Sequence, residues 1–326
     1  MTMFEPYSID AAEMSRDDRL PLVIAALADV FRDLHAGRAQ SPPRISLRFG
    51  APPGAEVMVS PAIWEQRGVA AVRVATFTPD NPRRGLPLIQ GVVVLTDLDT
   101  GRITALLDGA ESTALRTGAV AGLATRLCAP EDAGDLAVLG AGVQARALVR
   151  AVCAVRRIRC VRVCSRTRAG AEDFADWIRS RPDPPREVTV CDSPRLAVRD
   201  AEIICTATST ADRRPLIHAE WISPGAHLNI IGGVHEDALE VDAALLRTAF
   251  TVVEQRDVAM QDAGEVRAAL ARNLIGPEDL HELGAVLNGA VAPSGGTTVY
   301  RSVGLAIEDT ATAAAMYEFA CATQGA

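Results

Sequence analysis

Apolar and polar positions change rhythm twice along the chain, and the changes divide it. Between Asp18 and Arg38 apolar residues fall at Leu20, Ile24, Leu27, Val30, Phe31 and Leu34, the spacing of one helix face, and Gly37 closes the run. Short β-rich runs follow at residues 42–47, 56–60, 69–77 and 91–95, broken by Pro, Gly and Asn, and a hairpin through Asp97–Gly101 leads into residues 102–107. They predict an antiparallel sheet covered by the amphipathic helix. From Ser112 to Cys128 the pattern turns helical and Ala-rich, and Ala129-Pro130-Glu131-Asp132 ends it. Apolar strand runs then recur at residues 135–139, 160–165, 187–191, 201–206, 226–231 and 250–254, with helical runs ending near Val155 and covering residues 169–179 and 237–246. Asp237 is expected to cap the last of these helices. The alternation predicts an α/β fold built on a parallel, doubly wound sheet. Residues 297–323 read as a strand-like entry and a long helix outside the alternation, so the C-terminus is expected to return to the first domain.

The first strand of that alternation ends in Gly140-Ala141-Gly142-Val143-Gln144-Ala145 and enters a helix directly. This is the Rossmann-type dinucleotide-binding turn. Gly140 permits the tight turn, Gly142 lets a pyrophosphate approach the backbone, and the first-turn N–H groups face negative charge. An acid that would take the ribose 2′-hydroxyl is absent after the second strand, where Ser165-Arg166-Thr167-Arg168 stands instead. Two guanidiniums and two hydroxyls suit a 2′-phosphate, so NADP (as NADPH) is favoured over NAD; the alternative is an ordinary solvated loop. Thr206-Ala207-Thr208 and Gly232-Gly233 lie at the carboxyl ends of later strands, where the crevice of such a sheet forms, and each is otherwise an ordinary turn.

Composition narrows the chemistry. At 326 residues the chain suits two domains, and no apolar run reaches the length of a membrane helix. With a net charge of −8 it is not a general nucleic-acid binder, and Met1–Asp10 does not read as a leader, so a cytoplasmic protein acting on a small molecule is expected. The seven cysteines are scattered without a CxxC pair and the histidines lack metal-ligand spacing, so neither a disulfide framework nor a metal site is expected. All 33 basic residues are Arg. The absence of Lys excludes Schiff-base chemistry, pyridoxal phosphate attachment and a P-loop lysine.

Arg44, Arg73 and Arg116 call for anionic partners, Arg73 most of all because it interrupts an apolar strand. A substrate carboxylate gripped bidentately is one reading, and an internal salt bridge to Glu56 or Asp97 is the other.

Taken together, Pro43-Arg44, Glu56-Val57-Met58, Val72–Phe77, Thr113–Ala119, the Gly140–Arg146 turn, Pro224–Asn229, Gly264-Glu265-Val266 and Thr297–Gly304 leading to Glu308-Asp309 resemble the ornithine cyclodeaminase and mu-crystallin family over nearly the whole chain. The resemblance implies a Rossmann domain of residues 119–300 inserted in an α+β domain of residues 1–118 and 301–326 that binds substrate and pairs two subunits into a homodimer. It implies that Arg44 and Arg116 hold the substrate carboxylate, and that Thr117, Val143, Gln144, Arg301, Ser302 and Gly304 join the cofactor-binding residues. Two departures matter: Arg73 stands where the family usually has Lys, and Val234-His235-Glu236-Asp237 stands where its cyclodeaminases carry a catalytic Asp. A cyclodeaminase must deprotonate and reprotonate amines in one site, for which Val234 and Arg73 are unsuited. An imine can arrive already protonated and needs mainly a held carboxylate and an aimed hydride. The expected activity is therefore NADPH-dependent reduction of an imino acid to an amino acid, or its reverse, with Arg73, Glu56 and His235 as the catalytic candidates. A cyclodeaminase acting on ornithine or lysine and a non-catalytic, crystallin-like NADPH binder are the alternatives.

Overall fold

The computed structural model describes residues 5–50, 54–210, 214–233 and 237–324. The chain forms two compact units, Met1–Arg116 with Gly304–Ala326 and Thr117–Val303.

Unit 1 is a sheet of β1 (Tyr7–Ile9), β2 (Ala39–Gln40), β3 (Ile45–Phe49), β4 (Ala55–Trp64), β5 (Val69–Phe77), β6 (Ile89–Asp97) and β7 (Ile103–Asp108). Its order is β1-β7-β6-β5-β4-β2, with β3 also on β4, and every pairing is antiparallel except β1 with β7. Helices α1 (Ala11–Met14), α2 (Leu20–His35) and α10 (Ala306–Gln324) belong to it, and α3 (Gly109–Cys128) begins in it. The apolar stripe of α2 is buried, and Asp33 on the same face accepts from Trp64 Nε1 at 2.7 Å, tying the helix to β4. Helix α10 packs on β4 and β5 as well as on α2.

Alternation along β5 sorts its side chains, burying Ala71, Arg73 and Ala75 while Val72 and Val74 stay exposed. Cross-strand register continues that row through the half-buried Val57 and Val59 of β4 to the exposed Leu47 and Ile45 of β3. An arginine thus occupies a position that the pattern reserves for an apolar side chain.

Unit 2 is a parallel sheet of β8 (Asp135–Leu139), β9 (Cys160–Cys164), β10 (Glu187–Val190), β11 (Ile203–Thr206), β12 (His227–Ile230), β13 (Phe250–Val253), β14 (Leu280–Glu282) and β15 (Thr298–Arg301). The order β10-β9-β8-β11-β12-β15-β13-β14 reverses between β8 and β11, the switch point at which a doubly wound sheet opens its crevice. Helices α4 (Val143–Val155), α5 (Arg168–Arg179), α6 (Pro194–Val198), α7 (Arg256–Asp262), α8 (Gly264–Ala271) and α9 (Leu283–Leu287) complete the unit. Among the described residues no helix is long and apolar enough to cross a membrane.

Two expectations need correction. The strand-like entry before the last helix is β15, which lies inside the parallel sheet between β12 and β13, so only α10 returns to unit 1. The helix expected at 237–246 is absent, and a single 3-10 turn at Ala243–Arg247, capped by Asp242 rather than Asp237, takes its place. The apolar spacing there is real, but the backbone is used otherwise: Glu240 O accepts from Leu216 N and Ile217 N, and Asp242 N donates to Ile217 O.

A polar chain crosses the core of unit 2. His227 is fully buried, with Nδ1 at 2.8 Å from Thr298 Oγ1 and Nε2 at 3.3 Å from Asn229 Oδ1, and Asn229 Nδ2 donates to Thr125 Oγ1 at 2.9 Å. Burial pushes the His227 pKa down to about 4 from 6.5, so the folded protein keeps it neutral where the unfolded chain would bind a proton. Stability from this group is complete above pH 6.5 and is lost as pH falls towards about 4, by roughly 3 kcal/mol. Urea unfolding at pH 7 and pH 4.5 of wild type and His227→Gln should show the stability difference between them narrowing in acid; a constant difference would contradict a neutral buried imidazole.

Candidate active site

In unit 2, Gly140, Gly142, Ser165, Arg166, Thr167, Ala207 and Thr208 line one cleft of about 650 Å³. Gly140 has φ +109°, and a Cβ there would meet Ala207 O at 2.4 Å, so only Gly lets β8 pass that close to the end of β11. Gly142 is the N-cap of α4 and supplies no side-chain cap, which leaves the first-turn N–H groups of Val143, Gln144 and Ala145 for an anion. The turn therefore fits a pyrophosphate.

The two arginines after β9 have different fates. Arg166 is exposed on the cleft. Arg168 is ion-paired, its Nε donating to Glu172 Oε1 at 2.8 Å and its Nη1 to Asp192 Oδ1, an acid that itself lines the cleft, while Thr167 caps α5 by accepting from Gly170 N. The expected pair of open guanidiniums is thus reduced to one.

Several residues expected at the cofactor are engaged by buried acids of the chain itself. Thr206 Oγ1, Thr208 N, Thr208 Oγ1 and Gly232 N all donate to the buried carboxylate of Glu240, at 2.6–2.7 Å. Burial raises the pKa of Glu240, and its bonds to Thr206 and Thr208 and the charge of Arg301 oppose the rise. Glu240 N donates to Glu265 Oε1, and Glu265 Oε2 accepts from Arg301 Nε at 2.7 Å. Arg301 Nη1 then reaches Ser302 O, and Ser302 Oγ donates to Glu254 Oε1 at 2.7 Å. The side chains of Arg301 and Ser302 are therefore committed to internal acids, and Thr206 serves the cleft only through Glu240. Thr117 is buried, Val143 is exposed, and Gly233 adopts φ +88°; none of the three is a lining residue of this cleft. Gln144 is half-buried, and its buried Oε1 has no hydrogen-bond partner.

The second cluster is in unit 1. Ser112 and Arg116 stand one turn apart on α3 and face two acids of α10. Arg116 Nη1 donates to Glu308 Oε2 at 2.6 Å, Arg116 Nε lies 3.4 Å from Asp309 Oδ1, and Ser112 Oγ donates to Asp309 Oδ1. Leu305 N donates to the other Glu308 oxygen at 2.9 Å. Gly304, expected at the cofactor, is instead the floor under Arg116: its φ is +76° and a Cβ there would meet Arg116 Nη1 at 2.8 Å.

Arg73 lies on the same face of the sheet as Ser60, which it opposes on β4, and is only 7% exposed. Its Nε has no hydrogen-bond partner. The charges that act on it are Asp309, Arg116, Arg44 and Glu308. Burial pushes its pKa down, the like charges of Arg116 and Arg44 add to that, and the two acids oppose it. Neither Glu56 nor Asp97 is its partner. Glu56 stands opposite Arg48, four residues along β4 from Ser60, and Asp97 caps a turn through Thr100. Arg44 is exposed just before β3, and His235, with Val234, lies outside the described residues.

A dinucleotide cleft in one unit and a buried arginine cluster in the other can be set against known proteins. The model of the ornithine cyclodeaminase/mu-crystallin family matches residues 9–324. This chain belongs to that family. Among its relatives, the Delta(1)-pyrroline-2-carboxylate reductase of Bacillus cereus is 32% identical over 315 residues, 95% of each chain. The ketimine reductase mu-crystallin of Mus musculus is 34% identical over 261 residues, 80% of this chain and 79% of that one. The solved structure of Thermococcus litoralis Delta(1)-pyrroline-2-carboxylate reductase in complex with NADH and L-proline is similar with a TM-score of 0.90 and 30% identity, covering 98% of each chain. The chain is a nicotinamide-dependent oxidoreductase of imino acids, acting at a C=N bond.

Sequence reasoning missed Glu240 as the residue that ties the ends of β11 and β12 beneath the cleft. Replacing it with Ala strands two backbone N–H groups and two hydroxyls, at a cost of about 3–5 kcal/mol. Glu240→Ala should melt well below wild type and lose at least about tenfold in dinucleotide affinity by fluorescence titration. An unchanged dissociation constant in a folded variant would contradict this role.

Proposed function

We propose that this family member reduces an imino acid to the amino acid with NADPH, unit 2 carrying the dinucleotide and Arg73, with Arg116 and Arg44, receiving the substrate carboxylate. The observation that carries the reading is Arg73: a guanidinium buried to 93%, with an unpartnered Nε and two like charges as neighbours, needs an anion. Arg116, fixed by Glu308 and Asp309, sets the geometry beside it.

The dinucleotide supplies hydride from its reduced ring. The chain's own part is to hold the carboxylate, fix the imine carbon for attack and keep the iminium form, with its positive nitrogen, near a site whose carboxylate is neutralised by arginine. The net reaction consumes one proton with each hydride. Arg73 does not donate it, since a guanidinium stays protonated, so the reading has the substrate arrive as iminium. Glu56, half-buried on the sheet face that carries Ser60, is the acid this reading reserves for a positive group on the substrate.

Arg166 supports NADPH over NADH, because it is the guanidinium after β9 left without an acidic partner. The exposed apolar row of unit 1, with Ile45 at 56% and Leu47 at 61% exposure, supports pairing of two copies through this sheet as a homodimer. The cytoplasm, where thiols stay reduced, suits seven free cysteines.

The deciding experiment follows reduced-nicotinamide absorbance with a panel of cyclic and linear imino acids, with NADPH and NADH in parallel. Absorbance should fall only when an imino acid is present; ammonia release from ornithine with no net nicotinamide consumption would establish a cyclodeaminase instead, and tight binding without turnover a carrier. Arg166→Ala should weaken NADPH by about 10- to 100-fold and leave NADH unchanged; equal losses would reject its reading of the 2′-phosphate. Leu47→Asp with Val74→Asp should shift the sedimentation of the protein from dimer to monomer, and an unshifted dimer would place the pairing surface elsewhere.

A further inference from the structure

Two thiols meet at the wall of the dinucleotide cleft. Val163 of β9 pairs with Val190 of β10, and Cys191 N donates to Val163 O at 2.8 Å, so Cys164 and Cys191, one step on, stand side by side at the carboxyl ends of the two strands. Both side chains join the same apolar cluster as Ala197 and Val198 of α6, which puts them on one face of the sheet. Neighbouring strands lie about 4.8 Å apart, within the roughly 4.4–6.8 Å between Cα atoms that a disulfide spans. Both thiols are free. Cys164 is buried and lines the cleft, followed there by Ser165, Arg166 and Thr167, and Asp192 lines it next to Cys191. Burial raises the pKa of both thiols; Arg162, whose Nε donates to Ala197 O, opposes the rise at Cys191, and Asp192, paired with Arg168, adds to it at both. Cys191, half-buried and beside a cation, is therefore the thiol open to attack, and Cys164 is the partner behind it.

We propose that Cys164 and Cys191 form a peroxide-sensitive dithiol switch, closing to a disulfide that weakens dinucleotide binding. The Cys191 sulfur takes one peroxide oxygen as the O–O bond breaks, giving a sulfenic acid and one water. The Cys164 sulfur then displaces that oxygen as a second water and the S–S bond forms. Both sulfurs are oxidised and the peroxide is reduced, two thiols and one peroxide yielding one disulfide and two waters. Closure must draw the two Cβ atoms from about one strand spacing to roughly 3.8 Å. The strand ends that yield carry Ser165, Arg166, Thr167 and Asp192, the wall of the cleft. The inference rests on the dinucleotide reading of this cleft, adds a regulation to it, and is indifferent to whether NADPH or NADH fills it.

The test uses the full-length protein with the exposed Cys153 and Cys321 replaced by Ser, treated with hydrogen peroxide, digested without reductant and mapped by mass spectrometry. A peptide pair joined through Cys164 and Cys191 should appear. The dissociation constants of NADPH and NADH, each titrated by fluorescence, should rise about tenfold on oxidation and return with dithiothreitol. Dinucleotide added before peroxide should slow closure by linkage, and an unslowed closure would overturn the coupling. Closure should quicken from pH 7 to pH 9, because the thiolate is the attacking form, and a rate indifferent to pH would overturn the thiol chemistry. A sulfinic acid at Cys191 with no linked peptide would overturn the proposal, and so would a linked peptide with unchanged affinity. Cys191→Ser and Cys164→Ser should each bind dinucleotide equally before and after peroxide; a loss that persists in either would overturn the pair. Where those variants fail to fold, the peptide map and titration of the parent protein decide. A reduced protein that binds neither dinucleotide would refute the cleft reading, whereas normal binding with no linked peptide would refute only this inference.

Discussion

An arginine held out of water in a strand position meant for an apolar side chain is the constraint on which unit 1 depends. The sheet buries Arg73 because strand alternation leaves it no other side, and α10 brings Glu308 and Asp309 to that face. The two acids neutralise Arg116, and Gly304 gives its guanidinium a flat floor. What remains is the buried Arg73, whose Nε has no hydrogen-bond partner. Burial makes the interaction strong, since in a poorly solvated site a charge pair is screened much less than at the surface.

Unit 2 solves the opposite problem. Its cleft must accept a polyanion, and it does so with backbone: Gly140 and Gly142 remove side chains, and the first turn of α4 offers N–H groups. The far side of the crevice is shaped by a buried carboxylate, Glu240, that never lines it. Glu240 gathers donors from two strand ends and is itself tied to Glu265 and Arg301. The conspicuous small residues at the strand ends thus owe their positions to an acid elsewhere in the chain.

Much of this was legible in the sequence, and the failures share a cause. Local signals sufficed for the Gly140–Gly142 turn, the alternating strands and the oddity of Arg73, because each depends on neighbours a few residues away. The pairing of Arg116 with Glu308 joins residues 192 apart, and that of Arg168 with Asp192 spans 24; no periodicity reports such contacts. The sequence therefore could not show that Arg301 and Ser302 are bonded to buried acids, that Arg168 pairs with two exposed ones, or that Gly304 lies against a guanidinium. The helix expected at 237–246 failed for a related reason. Its apolar residues are buried, as the spacing indicated, but Leu216 and Ile217 take the backbone of Glu240, which a helix would have consumed.

The account stands on the claim that a buried arginine site recognises the carboxylate beside the C=N bond. The most direct measurement compares kcat/KM for a cyclic imine-2-carboxylate with that for the same ring lacking its carboxylate, at saturating NADPH. Loss of a buried charge partner predicts a fall of about 100-fold or more. Equal values for the two rings would contradict the claim.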